Sequence, residues 1–352
     1  MEMITIKDIA KMCGVGVSTV SRAMNNHPDI NEETKTKILN TIKEYNYIPN
    51  NSARNLKRTE SRAIALLVKG IANPFFVKMI KIMEEAIEKE RCLLVLRHVD
   101  EEENEVDVAM SLVKERKLRG IIFLGGYLNH TKEELLRLQV PLVFSSTSSM
   151  DQKPGDCYSY VSVNDVTESY KMVDYLCKLG HRKIAVLITN EADCGIGRLR
   201  LQGYEKALKD NQIELDQELI YHMKEIGMTS YTMENGYELM NELLDSGKEF
   251  SAVFAISDTL AIGACKAIFE HGLRVPEDIS VSGFDGIDMA HYYNPTITTL
   301  RQPVEEMAKE TVNLLFSVIR GKETHQYKTF EGELLEGGST QSYCCCDSDS
   351  PS

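Results

Sequence analysis

Several polar side chains in this sequence stand just after runs of residues that predict buried β-strands. Asp258 and Asp285 each follow such a run, and Arg200 begins the helix that follows another. Asn73 and Phe76 come after the first predicted strand in the same way. Ligands of open parallel sheets bind outside the carboxyl ends of the strands. Because a carboxylate and a guanidinium that face one cleft can hold vicinal hydroxyl groups, the pattern predicts a sugar-binding cleft.

The candidates for this ligand site are Arg200, Asp285, Asp258 and Asn73. The alternative for each charged residue is a purely structural role. It is strongest for Asp258, which begins a predicted helix, where the helix dipole favours an anion.

A second group of side chains has the pattern of a DNA-reading helix. Residues 5–25 predict two short helices joined by a tight turn. The second helix leaves Val17, Ser18, Ser21 and Arg22 on its exposed side, near its N-terminal half. Those side chains would meet base edges if the helix lay in a major groove. Arg22 could then bind a guanine edge with two hydrogen bonds.

Local signals place both helices of this segment. Thr5 and Asp8 have the spacing of a capping box, with Asp in place of the usual Glu. Gly14 offers the positive φ that a sharp turn needs. Asn31 can cap a third helix that closes a small all-α head. The alternative is a pair of amphipathic helices inside some other helical domain.

The rest of the chain alternates predicted strands with predicted helices. The first continuous apolar run, Ala63–Val68, is typical of a parallel strand that is buried on both faces. Two such alternating series predict two doubly wound α/β halves with a ligand cleft between them. The last predicted strand lies around Lys328–Leu335.

Composition limits the class of protein. The 352 residues predict two or three domains, and no apolar run is long enough to span a membrane. The first residues, MEMITIKD, lack a secretory signal, so we expect a cytoplasmic protein. Residues 1–60 carry nine lysines and arginines against seven acidic residues, whereas the remainder carries 31 against 46. A mildly basic head on an acidic body suits a protein that touches DNA with its head alone.

No pattern predicts an enzyme, a cofactor or a metal site. Gly195 and Gly197 are not part of a G-x-G-x-x-G motif, and there is no nucleophile elbow. None of the nine cysteines forms a C-x-x-C pair. The six scattered cysteines predict small buried hydrophobic residues. Cys344–Cys346 predict a disordered end with exposed thiols, with a reactive or acylated site as the alternative.

The head resembles the lactose-repressor (LacI/GalR) family of transcription regulators. Matches in register to the family fingerprint are Thr5, Asp8, Ile9, Ala10, Gly14, Val15, Thr19, Val20, Ser21, Arg22 and Asn25. Gly16 departs from it, because the family usually has a serine there that caps the second helix and reaches a phosphate. A lost cap corresponds to ~1 kcal/mol or less.

The resemblance continues through the hinge and the body. Asn50, Ala53 and Leu56 match the family's hinge helix, which implies that a leucine from each subunit wedges into the minor groove. The alternative is an ordinary linker. The N-P-F-F turn, R-x-x-G-[FY] and G-[FY]-D motifs of the family match here at Asn73, Arg200 and Asp285. Ser257 replaces the asparagine that usually precedes Asp258.

The resemblance implies a fold and a domain plan. The fold is an all-α helix-turn-helix head plus hinge helix, followed by a two-subdomain α/β body of the periplasmic-binding-protein type, with parallel, doubly wound sheets. The predicted head is 1–48, the hinge helix or linker 49–60, and the tail 341–352. The N-terminal subdomain is 61–164 and 301–324, and the C-terminal subdomain is 165–300 and 325–340. The chain therefore crosses between the subdomains near 164, 301 and 325.

The implied function is a sequence-specific transcriptional repressor whose operator affinity is controlled allosterically by a small molecule, a sugar or a sugar derivative, that binds in the cleft of the α/β body. Expected partners are a pseudo-palindromic operator, the effector and a second copy of the chain as a homodimer, without a membrane. The DNA contacts implied are Thr5, Val17, Ser18, Thr19, Ser21, Arg22, Asn25, Asn50, Ala53, Leu56 and Lys57. The effector contacts implied are Asn73, Phe76, Arg200, Asp258 and Asp285. The alternative functions are a cytoplasmic solute-binding protein without a regulatory role and an enzyme on the same body.

Overall fold

The computed structural model describes residues 4–24, 27, 29–45, 47, 62–100, 103–149, 157–190, 195–223 and 231–343. The chain divides into two compact units, Met1–Ser61 and Arg62–Ser352. No helix within those described ranges is long and apolar enough to cross a membrane.

The described residues of the first unit form three helices, α1 (Ile6–Cys13), α2 (Val17–Met24) and α3 (Glu32–Glu44). The predicted capping box is present, because the Asp8 carboxylate accepts hydrogen bonds from the Thr5 backbone and hydroxyl at 2.9 and 2.6 Å. Gly14 has φ +69°, as the predicted turn requires. The three helices bury a small core of their own, which is formed by Ile9, Ala10, Cys13, Val20, Ala23 and Ile38.

The first half of the second unit is built on a six-stranded sheet in the order β13-β7-β5-β3-β1-β2, in which all neighbours are parallel. Its strands are β1 (Ala63–Lys69), β2 (Leu93–Val99), β3 (Leu118–Leu124), β5 (Leu142–Ser145), β7 (Ser159–Val163) and β13 (Tyr327–Phe330). Two short strands, β4 (Tyr127–Leu128) and β6 (Ser148–Ser149), pair with each other. The helices of this half are α4 (Pro74–Lys89), α5 (Glu105–Glu115), α6 (Lys132–Leu136) and α12 (Val304–Ile319).

The second half has its own six-stranded sheet in the order β14-β12-β11-β10-β8-β9, which is parallel except for the β12–β14 pair. Its strands are β8 (Ile184–Ile188), β9 (Ile220–His222), β10 (Ala252–Ala255), β11 (Ser280–Asp285), β12 (Thr298–Arg301) and β14 (Glu333–Leu335). Its helices are α7 (Asp165–Lys178), α8 (Ile196–Asp210), the 3₁₀ turn Gln217–Leu219, α9 (Met233–Asp245), α10 (Asp258–Glu270) and α11 (Asp288–Tyr292).

The packing of β1 shows why the strands of the body have continuous apolar sequences. Ile64, Leu66 and Val68 belong to one buried cluster, and Ala65 and Leu67 belong to a second cluster on the opposite face. A strand with both faces covered has no polar positions in its middle. The predicted α/β body with parallel sheets is therefore confirmed.

The chain passes between the two halves at three places. It leaves the first sheet after β7 and leaves the second sheet after β12. The crossing predicted near 325 is displaced, because β13 still belongs to the first sheet and β14 belongs to the second. The predicted single strand at Lys328–Leu335 is therefore two strands. Its alternation of residues could not show the break, since a parallel pairing with β7 and an antiparallel pairing with β12 leave the same pattern.

Candidate functional site

A cavity of about 190 Å³ lies between the two halves of the body. The first half contributes residues at or just after the ends of β1, β3, β5 and β7. The second half contributes the starts of α7 and α8 and residues at or just after the ends of β8 and β11. The lining residues are Lys69, Gly70, Asn73, Phe75, Phe76, Gly125, Gly126, Ser146, Ser162, Asp165, Thr189, Gly195, Ile196, Arg200, Tyr231, Asp285 and Gln302. Four of the five predicted effector contacts, namely Asn73, Phe76, Arg200 and Asp285, are therefore brought to one cavity.

Arg200 is the centre of the charged wall of this cavity. Its Nε donates to Asp165 Oδ1 at 2.9 Å, and its Nη2 donates to Asp285 Oδ1 at 3.3 Å. Its Nη1 donates to the carbonyl oxygen of Ile256, and the guanidinium lies 3.7 Å from the ring centroid of Phe284. Burial opposes the charged form, but the two carboxylates outweigh that effect and raise the pKa of Arg200. The side chain is thus fixed, charged and directed at the cavity.

Asp285 has a strained backbone, with φ +109°, at the end of β11. Such a conformation persists in a non-glycine residue only when its neighbours hold it. Gln302 supplies that support, because its Nε2 donates to Asp285 Oδ1 at 2.8 Å and its backbone NH donates to the Asp285 carbonyl at 3.1 Å. Burial raises the pKa of Asp285 to about 6, with the charge of Arg200 acting in the opposite direction.

Asp165 and Gln302 belong to this site but were not predicted. Asp165 begins α7 directly after β7, so the signal that singled out Asp285 also applied to it. Burial raises the pKa of Asp165, and Arg200 counteracts this rise. Gln302 lies at the crossing between β12 and α12, and a crossing segment shows no periodicity that would mark a buried amide.

The opposite wall is aromatic and depends on a glycine turn. Asn73 caps α4 by accepting a hydrogen bond from the Phe75 backbone at 3.0 Å, and this cap places Phe75 and Phe76 at the cavity. Gly125 has φ +77°, and a Cβ there would lie 2.9 Å from Phe76 Cζ and 2.4 Å from the Lys69 carbonyl oxygen. The Phe76 ring can approach the turn only because Gly125 has no side chain.

Asp258 does not line this cavity, which corrects its prediction as an effector contact. It is completely buried, with Oδ1 accepting from the Thr299 hydroxyl at 2.6 Å and Oδ2 accepting from the Ile287 backbone at 2.8 Å. Burial and the neighbouring Asp285 raise its pKa to about 8. Asp258 therefore ties α10 to the segments around β11 and β12, as its structural alternative predicted.

The DNA-contact candidates on α2 form one surface of the head. Val17, Ser18 and Arg22 are exposed, and Thr19 and Ser21 are half-buried. Thr5 is exposed at the start of α1. The other predicted DNA contacts, Asn25, Asn50, Ala53, Leu56 and Lys57, lie outside the described residues, as does the predicted hinge at 49–60.

The cysteines of the described residues lie inside the protein. The buried ones are Cys13, Cys92, Cys157, Cys177 and Cys265, as expected for small hydrophobic residues. Cys194 and Cys344–Cys346 lie outside the described residues. Within the ranges given above, no cluster of three or more histidine, cysteine or acidic side chains could hold a metal ion.

Comparison with known proteins assigns both parts of the chain. Residues 5–50 match the family of bacterial regulatory proteins of the lacI type, and residues 173–340 match a periplasmic binding protein-like domain. The transcriptional regulator MalR of Clostridium butyricum is 42% identical over 336 residues, which cover 95% of this chain and 98% of MalR.

Solved structures agree with this assignment. A complex of the transcriptional regulator CelR with cellobiose matches with a TM-score of 0.69 and 27% identity, over 96% of this chain and 99% of that one. The Lac repressor dimer bound to operator and the anti-inducer ONPF matches in fold, with a TM-score of 0.75 and 24% identity, over 97% of this chain and 100% of that one. With a helix-turn-helix head in register and a relative similar along nearly its whole length, this chain belongs to the LacI family of DNA-binding transcriptional regulators.

Proposed function

We propose that this regulator is a repressor whose affinity for its operator is controlled by an uncharged sugar bound between the two halves of the body. The observation that carries the proposal is the wall formed by Arg200, Asp165 and Asp285 opposite Phe75 and Phe76. Apolar faces of a sugar ring pack on aromatic side chains, and its hydroxyls need fixed donors and acceptors. The binding of cellobiose by the related CelR supports this ligand class.

The charges of the cavity favour a neutral ligand over an anionic one. Arg200 is shared by two carboxylates, and Lys69 Nζ lies 3.5 Å from Glu105 and donates to the Glu103 carbonyl at 3.0 Å. Each cation among the described lining residues already has a carboxylate partner. None of them is therefore left unpaired to bind a phosphate or a sugar acid. A guanidinium has five N–H donors, and three are used within the protein, so two remain for hydroxyl oxygens.

The acceptor side of the wall is also suited to hydroxyls. Within the described chain, the hydrogen bonds to the Asp285 carboxylate reach Oδ1, which leaves Oδ2 to accept from the ligand. Asn73 and Phe76 would contact the ligand from the other half. A ligand that touches both walls would fix the angle between the halves, which is the kind of domain closure that can change the hinge.

Two heads, one from each subunit of a homodimer, would bind the DNA together. α2 lies in the major groove, with Val17, Ser18 and Arg22 at the base edges, and Thr5, Thr19, Ser21, Asn25 and Lys57 support the position on the duplex. Asn50, Ala53 and Leu56 form the hinge, where Leu56 wedges into the minor groove. Two heads in a homodimer match a pseudo-palindromic operator. A regulator of transcription works where the chromosome lies, which supports the predicted cytoplasmic location.

A thermal-shift and calorimetric comparison tests the ligand class. Cellobiose, maltose, ribose and glucose are compared with glucose 6-phosphate and glucuronate. We expect at least one neutral sugar to raise the melting temperature of the body, because a ligand at 100 times its Kd stabilises by ~2.7 kcal/mol. We expect the anions to have no effect.

Two substitutions locate the binding. Asp285→Asn should weaken sugar binding at least tenfold, and Asp288→Asn, an exposed acid three residues later, should leave it unchanged. Tighter binding of either anion than of every neutral sugar would contradict the proposed ligand class.

A further inference from the structure

Two residues shortly after α2, His27 and Asp29, lie near the exposed arginine of the DNA-reading surface. The backbone NH of His27 donates to the Arg22 carbonyl at 3.1 Å. The Asp29 carboxylate lies near the guanidinium, with Asp29 Oδ2 at 4.0 Å from Arg22 Nη1. The other oxygen, Oδ1, contacts His27 Nδ1. Asp29 therefore contacts the ring of His27 and lies within ion-pair distance of Arg22.

The ion pair between Arg22 and Asp29 contributes little to the stability of the fold. The side chains of Arg22 and Asp29 are 58% and 54% exposed, and an ion pair at such a surface contributes little to stability. Its position is unfavourable for general DNA affinity, because a carboxylate near the groove is repelled by phosphates. Asp29 thus lowers the affinity for unrelated DNA and has little effect on folding. We therefore expect it to act on sequence selectivity.

We propose that Asp29 is a positioning residue that sets the base selectivity of Arg22. The inference rests on the proposed function, in which Arg22 reads a base. An unpaired arginine side chain samples many rotamers, and it must be ordered before its planar fork can match a guanine edge. The Asp29 carboxylate attracts the guanidinium at Nη1 and so restricts its positions, while Nε and Nη2 can still donate to a guanine edge. Its negative charge also weakens non-specific ion pairs between Arg22 and DNA phosphates.

Two effects on DNA binding follow. The ordered arginine raises the affinity for the preferred operator, whereas the added negative charge lowers the affinity for unrelated DNA. Removal of Asp29 should therefore tighten binding to unrelated duplexes and reduce the discrimination at the base pair that Arg22 reads. A carboxylate that mattered only through its charge would change both kinds of binding by the same factor.

The test uses the full-length protein and a random duplex pool. Selection with the wild type defines the half-site, and fluorescence anisotropy then gives Kd for that duplex, for singly substituted duplexes and for an unrelated duplex. The variants are Asp29→Ala, Arg22→Ala, the double variant and Glu44→Ala. Glu44 is an exposed acid at the far end of α3, so its removal changes the charge of the head without touching Arg22. Circular dichroism confirms that each head is folded.

We expect Asp29→Ala to bind the unrelated duplex two- to fivefold more tightly and to lose two- to fivefold of the discrimination at one base pair. That base pair should be the one at which Arg22→Ala loses most. Glu44→Ala should keep its discrimination, and Asp29→Ala should have no further effect on discrimination in the Arg22→Ala background. Unchanged discrimination in Asp29→Ala, or an equal loss in Glu44→Ala, would overturn the role of Asp29.

Failure of the underlying function has a different signature. If Arg22→Ala itself leaves every base preference unchanged, Arg22 reads no base, and the inference on Asp29 falls with it. A wild-type selection that enriches no half-site, both with and without the sugar that stabilises the body, would likewise remove both residues from base reading.

Discussion

Gly14 and Gly16 lie on either side of Val15 in the turn of the head but have different physical roles. Gly14 has φ +69°, so any side chain there is strained whatever space surrounds it. Gly16 has no such φ, and a Cβ would meet only Ser18 Oγ at 3.5 Å and Thr19 Oγ1 at 3.8 Å. A side chain fits at Gly16, and the start of α2 could use one.

Gly16→Ser should therefore stabilise the head, because its hydroxyl can accept a hydrogen bond from the first turn of α2. We expect a gain of about 1 kcal/mol or less in unfolding free energy and tighter operator binding. The matched control is Gly14→Ser, which should destabilise the head by about 1 kcal/mol or more through backbone strain. Denaturant unfolding measures both variants. A destabilising Gly16→Ser would show that the turn has no room for a cap.

Asp258 gives a pH dependence with a defined sign. Its folded pKa is about 8, against an ordinary value of 3.8, so the native state holds a proton that the unfolded chain has released. Unfolding free energy should then fall as pH rises from about 4 through about 8, and it should level off above that.

Thermal unfolding between pH 5 and 9 tests this. Asp258→Asn cannot titrate, so its melting temperature should fall less steeply over that range than the wild type's. Asp107→Asn, an exposed acid on α5, should follow the wild type. Equal slopes for Asp258→Asn and the wild type would show that Asp258 is already ionised in the native state.

Residue types after predicted strands identified four of the residues that line the cavity, but they could not show which of the candidates would reach it. Arg200, Asp285 and Asp258 gave the same signal in the sequence, yet Asp258 points into the protein and Asp165 reaches Arg200 instead. The difference depends on contacts with residues that are distant in the chain, such as Thr299 beside Asp258 and Arg200 beside Asp165. The pattern of residues around each strand does not show such contacts.

Among the helices and strands, the outer strand β2 is the clearest candidate for contact with a second copy of the chain. Within the described residues it pairs with β1 alone, at the edge of the first sheet. Leu93 and Leu96 on this strand are 60% and 46% exposed, and Val77 on α4 is 62% exposed. Arg97 and His98 on the same strand are exposed as well. Large apolar side chains on an edge strand are usually covered by another surface, so Leu93 and Leu96 support the proposed homodimer.

Leu96→Glu should therefore weaken the dimer, since it places a charge in an apolar contact. Light scattering over a dilution series should show that the wild type is a dimer. The dissociation constant of the dimer should be at least tenfold higher for the variant. Leu136→Glu is the control, because Leu136 is 54% exposed on α6, away from this edge. A monomeric or tetrameric wild type, or an undisturbed Leu96→Glu dimer, would remove β2 from the interface.

Element positions were predicted best where one local signal decides them. The helices of the head begin and end at their caps and at Gly14, and β1 shows as a continuous apolar run. The two strands within Lys328–Leu335 were predicted as one, because membership of a sheet is decided by distant partners and not by the alternation of residues.

In the complete molecule, two binding events use different parts of the chain. The sugar is proposed to bind between the halves of the body, and the operator to bind at the head. If the sugar changes operator affinity by some factor, the operator must change sugar affinity by the same factor. The coupling is therefore measurable from either side.

The most direct test is the operator Kd of the full-length protein, measured by anisotropy on its selected duplex as a neutral sugar is titrated. We predict a change of at least tenfold with the sugar that stabilises the body, an equal change in sugar Kd when operator is present, and no response in Asp285→Asn. A sugar that binds the body and leaves operator affinity unchanged would contradict sugar-controlled repression, as would an Asp285→Asn protein that responds like the wild type.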